Sequence, residues 1–213
     1  MSRTEPIADF FNRECCATSC RSAPRQPRGT AEMLLRALSD EELEGRSVLE
    51  IGSGDGSLSR ALISRGASTV SGLDLSPVSV EAARSGAAEA GREGRLSYQV
   101  ADAAQAPLAE FDVVLSEKVF CCYPQPEQLM ANTLPAAGSL YAIVLPESRG
   151  LIGLVAKLVV AAENGLRRLG GDPFRAYVHD LGVVQSILER AGFHLRSSER
   201  HWGWLALVFT RNS

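Results

Sequence analysis

No apolar run in this sequence is long enough to cross a bilayer. The longest, over residues 151–162 (LIGLVAKLVVAA), falls short of the roughly 20 residues a span needs and carries Lys157. Stable membrane insertion is therefore excluded. The first residues, MSRTEPIADFF, lack the apolar centre and small-residue cleavage site of a secretory leader, so a soluble, cytoplasmic protein is expected. An excess of basic charge is also lacking. Lys and Arg total 22 against 25 Asp and Glu, for a net charge of −3. That disfavours a nucleic-acid binder, although Arg13, Arg21, Arg25 and Arg28 gather near the N-terminus. A small-molecule partner is the expectation. There is no internal repeat and no CxxC pair. The five cysteines, Cys15, Cys16, Cys20, Cys121 and Cys122, are odd in number and read as thiols in a reducing compartment.

What is present suits one globular domain: 213 residues, 45% of them hydrophobic. Residues 1–30 show little periodicity and read as an arm, with a short helix around 7–14. Thr30 is a candidate N-cap for a helix carrying Met33, Leu34, Leu35 and Leu38 on one stripe, and Ser39 for a following turn. From Ser47 onward strands and helices alternate. Strands are expected over 48–51, 69–73, 96–100, 111–115 and 140–145. Helices are expected over 57–65, 77–90 and 127–134. Alternation implies parallel pairing with right-handed crossovers. After a long apolar helix over 151–169 and another over 182–191, segments 193–198 and 204–210 read as an antiparallel hairpin at the sheet edge. The fold class is thus α/β: a Rossmann-like, doubly wound sheet, mostly parallel, with an antiparallel C-terminal edge hairpin.

The stretch VLEIGSGDGSLSR, residues 48–60, carries the chemistry. A strand ends in Gly52, Gly54 and Gly56, and a helix follows at once. In an open parallel sheet, ligands sit beyond the carboxyl ends of the strands, and glycine lets the chain turn and approach them closely. Asp74 ends the second strand, placed to accept hydrogen bonds from both hydroxyls of a ribose. The acids Glu50 and Asp55 flank the turn. They disfavour a pyrophosphate and suit a cofactor bearing a sulfonium and an ammonium.

The run VLEIGSGDG, then GLDLSP, VADA and FDVVLSEKVF, resembles the successive motifs of class I S-adenosylmethionine-dependent methyltransferases. The resemblance implies S-adenosyl-L-methionine as cofactor. It implies that Gly52, Ser53 and Gly54 contact its methionine part, that Asp74 binds the ribose and that Leu75 packs on the adenine. It further implies that Asp102, with Ala103 beside it, bonds the adenine amino group, and that Ser116 and Glu117 border the transfer site. The stretches CYPQPEQ, RAYVHDLGVVQSILERAGF and FFN resemble the magnesium-protoporphyrin IX O-methyltransferase family. That family has a histidine before YPQ, where this chain has Cys122. It has an aromatic hydroxyl near the N-terminus, where this chain has Phe10 or Phe11. The domain expected is 31–213, with the arm 1–30 covering the site and an acceptor-side insert at 146–180. The acceptor expected is small and apolar or aromatic, with oxygen methylation in view. A tetrapyrrole acceptor is the alternative.

Other features carry two readings each. The cysteines are buried small residues or a soft-metal site; no metal is assigned. His179 is a general base or a hydrogen-bonded structural residue, with Asp180 the better helix cap. Tyr123 is a second catalytic candidate, yet it and the pair Trp202 and Trp204 read more readily as packing. The helix over 151–169 reads as a core helix, with a lid or a membrane-touching surface as alternatives. A cofactor-binding sensor without turnover and a nicotinamide-dependent oxidoreductase are the other classes this fold allows.

Overall fold

The computed structural model describes residues 4–17 and 26–211. Cys20 and the side chains of Cys15 and Cys16 lie outside what it describes. Seven strands form one sheet: β1 (Ser47–Ile51), β2 (Thr69–Asp74), β3 (Leu96–Val100), β4 (Phe111–Glu117), β5 (Ala137–Pro146), β6 (His194–His201) and β7 (Trp204–Thr210). Their order is β3-β2-β1-β4-β5-β7-β6. The first five are parallel, and β7 runs antiparallel to both its neighbours, β5 and β6, as expected for the doubly wound sheet with its edge hairpin. The strand order reverses at β1, between β2 and β4, and that switch point locates the site.

Successive side chains alternate between the two sheet faces, which splits the core in two. On one face Leu49, Ile51, Val114 and Tyr141 pack under α1 (Glu5–Ala17), α5 (Pro126–Thr133) and α7 (Leu181–Arg190). On the other, Val48, Val70, Val113 and Leu115 pack under α2 (Thr30–Ala37), α3 (Ser57–Ser64) and α4 (Pro77–Glu89). Burying each such side chain contributes about 1.5–3 kcal/mol. Tyr141 is wholly buried, and its hydroxyl is satisfied 2.7 Å from Thr133 Oγ1.

Local chemistry fixes the element ends. Ser76 Oγ accepts the Ser79 N–H at 3.0 Å, and Pro77 opens α4 where no N–H is needed. Asp180 accepts the Gly182 N–H at 2.6 Å and caps α7. Thr30 is not a cap. It is the first residue of α2, and its hydroxyl donates to Glu117 at the end of β4. Ser39 is not a side-chain cap either: its main-chain N–H donates to Glu42 Oε2 at 2.8 Å, and a turn follows.

Two expectations of packing fail. The sixth helix, α6 (Gly150–Leu169), is no core helix: Gly153 is its one buried residue. Trp202 does not pack. It sits with Gly203 on a two-residue turn between β6 and β7, at φ 45° and 81°, and is 89% exposed. Trp204, by contrast, is half-buried against the core.

Gly72, in the middle of β2, shows how tightly the site is laid on the sheet. A Cβ there would stand 2.7 Å from Ser53 Cβ and 2.6 Å from Tyr98 Cδ1. Gly72→Ala is expected to lower the free energy of unfolding by about 1–3 kcal/mol, the usual cost of overpacking. Urea denaturation reads it, and an unchanged midpoint would show that the loop does not rest on β2.

Candidate active site

The loop after β1 is fastened to β2 before any ligand is considered. The N–H groups of Gly52 and Ser53 both donate to the Leu73 carbonyl, at 2.7 and 3.0 Å. That clamp needs a left-handed turn, and Gly52 takes φ 71°. Its bare Cα is also required sterically, since a Cβ would fall 2.3 Å from Val119 Cγ2. Gly54, at φ 52°, directs its N–H to Asp74 Oδ2 at 2.9 Å. Ser76 N–H reaches Asp74 Oδ1 at 2.8 Å. Burial pushes the Asp74 carboxyl up from its ordinary range, and the N–H groups of Ser76, Gly54 and Leu75 pull it back.

A cavity of about 240 Å³ opens above this loop. Gly52, Gly54, Asp74, Leu75, Ala103 and Glu117 are in its wall. Ile7 and Phe11 of α1 close it. The helix is held by Asn12, which accepts from Ser76 Oγ at 2.6 Å, and by Phe10, stacked on Phe174 at 4.1 Å. Arg167 lies over the Phe10 ring at 4.6 Å, and Arg13 pairs with Asp172 at 3.3 Å.

The structure sorts the residues singled out in the sequence. Gly52, Gly54, Asp74, Leu75, Ala103, Glu117 and Tyr123 come together on one cavity. Asp102 stands just behind it. Its Oδ1 accepts the Tyr123 hydroxyl at 2.9 Å and the Ala104 N–H at 2.9 Å, and Asn132 secures the Ala103 carbonyl at 2.8 Å. Burial, with Asp102 beside it, raises the Tyr123 phenol far above its ordinary range. Ser53 and Ser116 are buried outside the cavity wall, and the hydroxyl oxygen of each has no partner among the described residues.

Glu50 and Asp55 do not take the place read for them. Glu50 is 2% exposed, is not in the wall, and accepts the Ser59 hydroxyl beneath the loop. Burial pushes its carboxyl up to about 8, so it is largely protonated at neutral pH. Asp55 accepts the Ser57 N–H at 3.0 Å at the start of α3. The acids facing the cavity are instead Asp74 and Glu117.

His179 reaches neither this cavity nor the one described next. Its Nε2 lies 2.9 Å from the Phe120 carbonyl, and burial lowers its pKa. That bond holds the 3-10 turn Phe120–Cys122. The turn carries two buried thiols, Cys121 and Cys122, with Sγ at 3.2 and 3.6 Å from the Lys118 carbonyl. The hydrogen bond with the neighbouring Cys121 sulfur, and then burial, push the Cys122 thiol up. Among the described residues no three His, Cys, Asp or Glu side chains stand together as metal ligands.

Cys122 faces the cavity above the loop. Cys121 faces a second, larger one of about 910 Å³. This groove lies between α6 and the tip of the β6–β7 hairpin, walled by Val155, Val159, Tyr177, Trp202 and Trp204. Lys118, which the sequence reading missed, lines the cavity above the loop. It takes φ 57°, a conformation costly for a residue with a Cβ. Its Nζ is 3.4 Å from Glu117 and 5.7 Å from the centre of the Trp204 ring. Its one sequence signal was its position just after β4, on the ligand side of the sheet.

The strand order, the glycine loop and the acid at the end of β2 form a doubly wound α/β domain whose switch-point site resembles that of class I S-adenosylmethionine-dependent methyltransferases. The comparisons agree: residues 48–135 match the family described as a methyltransferase domain. The ribosomal protein L11 methyltransferase of Escherichia coli is 32% identical over 136 residues, covering 63% of this chain and 42% of that protein. The corresponding protein of Enterobacter is 29% identical over 135 residues, with the same coverage. The chain thus spans less than half the length of these relatives. Among solved structures, magnesium protoporphyrin IX methyltransferase from Synechocystis, with bound S-adenosylhomocysteine, superposes with a TM-score of 0.72 at 22% identity. That superposition covers 97% of this chain and 98% of that one. An S-adenosylmethionine-dependent methyltransferase from Mesorhizobium loti gives 0.64 at 20% identity, over 86% and 99%.

Glu50 yields a pH prediction with a definite sign. Its folded pKa, about 8, exceeds the ordinary 4.5. Its favourable contribution is therefore complete below about pH 4.5 and is lost as pH rises toward 8. Glu50→Gln, a neutral isostere, is expected to raise the melting temperature at pH 8 and to change it little at pH 4.5. An equal effect at both pH values would show that Glu50 is not buried as an acid.

Proposed function

We propose that the protein transfers the methyl group of S-adenosylmethionine to a carboxylate oxygen of a bulky, largely apolar acceptor. The observation that carries this reading is Lys118, which lines the cavity above the loop with its Nζ 3.4 Å from Glu117 and 5.7 Å from the centre of the Trp204 ring, a part of the groove wall. S-adenosylmethionine supplies an electrophilic methyl carbon on a sulfonium.

The cavity above the loop suits that donor. Each Asp74 oxygen holds one main-chain hydrogen bond and keeps a lone pair for a ribose hydroxyl. Leu75 and Ala103 offer apolar surface to the adenine, and Asp102, fixed by Tyr123, accepts from its amino group. The main chain of Gly52 to Gly54 and the Glu117 carboxylate face the methionine end. Ser53 and Ser116 serve from behind, as small residues under the loop and strand end. Glu50, largely protonated, supports the loop from below. Ligand sites usually measure about 300–1,000 Å³. The 240 Å³ observed is smaller, so α1 acts as a lid that shifts to admit the donor.

The acceptor occupies the groove under α6, whose 910 Å³ suits something larger than the small molecule expected from sequence. Lys118 holds its carboxylate beside the donor, and the carboxylate attacks in line without losing a proton. The protein's main contribution is to hold the two reactants in near-attack geometry. His179 and Tyr123 are then positioning residues: one fixes the turn between the cavities, the other fixes Asp102. A tetrapyrrole carboxylate is the second reading, favoured by the groove volume and by the likeness to magnesium protoporphyrin IX methyltransferase.

Incubation with S-adenosylmethionine and a panel of aromatic carboxylic acids and protoporphyrins tests this. The expected product is a methyl ester that alkali cleaves. Lys118→Met is expected to raise KM for the acceptor about tenfold, with little change in S-adenosylhomocysteine affinity. An alkali-stable product, or unchanged kinetics in the variant, would overturn the carboxylate reading. Donor binding without turnover on any acceptor would make the protein a sensor.

A further inference from the structure

The outer face of α6 is unexplained by methyl transfer. Asn164 is tied to Ala176 by hydrogen bonds of 2.8 and 2.9 Å, and Gly153 is buried, so that side turns to the body. The opposite side of a surface helix is normally polar. Here it carries Leu151, Leu154, Leu158 and Leu169 at helical spacing, 77%, 54%, 62% and 87% exposed. Leu154, Leu158 and Leu169 lie outside the groove wall, so an acceptor in the groove does not cover them. Exposed Trp202 extends the patch from the hairpin tip, where it shares the groove rim with Leu151. A continuous exposed apolar surface of this kind marks a docking site.

Charge selects the occupant. Lys157 and Arg168 stand three turns apart along one edge of the leucine stripe, both exposed, and Arg149 is exposed at the helix start. The helix's one acid, Glu163, lies on the other edge, in the groove wall. Leucines and a tryptophan bordered by cations match the acyl–headgroup boundary of an anionic membrane. A second copy fits less well, because antiparallel two-fold pairing of α6 would set the Lys157 edge against itself. Among the described residues no helix is long and apolar enough to cross a membrane.

We propose that the protein docks peripherally on anionic lipid bilayers through the outer face of α6 and Trp202. The helix lies in the plane of the interface, and the groove rim meets the lipid surface. This does not depend on the chemistry proposed for the acceptor.

Flotation with vesicles of phosphatidylcholine and about one-third phosphatidylglycerol tests it. The full chain is expected to float with these vesicles, with a blue shift of tryptophan emission, and to bind pure phosphatidylcholine more weakly. Leu154→Glu/Leu158→Glu is expected to reduce binding at least about tenfold while keeping the circular dichroism spectrum and S-adenosylhomocysteine affinity. Lys157→Glu/Arg168→Glu is expected to weaken binding to the anionic vesicles selectively. No flotation of the wild-type chain, or equal flotation of the leucine variant, would overturn the proposal. A dimer in light scattering that the leucine variant disperses, without vesicle binding, would assign the face to a second copy instead.

Discussion

A carboxylate partly taken out of water is costly unless donors replace that water. Asp74, half-buried in the cavity wall, is such a group, and the site is arranged around its needs. Its two oxygens accept from Gly54 and Ser76, one on the loop after β1 and one at the start of α4. The same loop is clamped to the end of β2 through the Leu73 carbonyl. Satisfying one half-buried acid therefore sets the loop, the strand end and the helix start in mutual register. Buried charges without such partners are costly enough that each of these contacts is constrained by the others. Glu50, a short distance along the chain, meets the same problem differently. It has a single hydroxyl donor and takes up a proton instead.

The chain from Ser116 to Tyr123 divides the space beyond the sheet. Lys118 bends it at positive φ, His179 holds the following turn by a main-chain oxygen, and Tyr123 anchors the far end on Asp102. Two adjacent cysteines consequently face different cavities. The cavity above the loop is narrow and closed by α1. The groove is wide, apolar and bordered by α6. In the proposed reaction this one short connection sets both the distance between the reactants and the charge at their meeting point.

The strands and the glycine loop were legible in the sequence because period-two runs, turn glycines and a following helix each left a local mark. Leu96–Val100 and Trp204–Thr210 were readable to the residue, and other boundaries fell within a few positions. Features set by tertiary contact were not legible. An apolar helix in an α/β chain reads as core, but in α6 only Gly153 meets the body closely enough to be buried. Glu50 and Asp55 flank the loop in sequence, yet strand alternation turns Glu50 to the opposite face and a helix start claims Asp55. Lys118 had no motif to flag it; its meaning comes from the Glu117 and Trp204 it stands between.

In the proposed reaction the loop and Asp74 seat the adenosyl donor. Isothermal titration of S-adenosylhomocysteine into the wild-type chain and into Asp74→Asn tests it most directly. The expected result is one-to-one binding to the wild type, weakened at least about tenfold, or roughly 1.4 kcal/mol, in the variant. Equal affinity in the two proteins, or binding of NAD in place of S-adenosylhomocysteine, would contradict it.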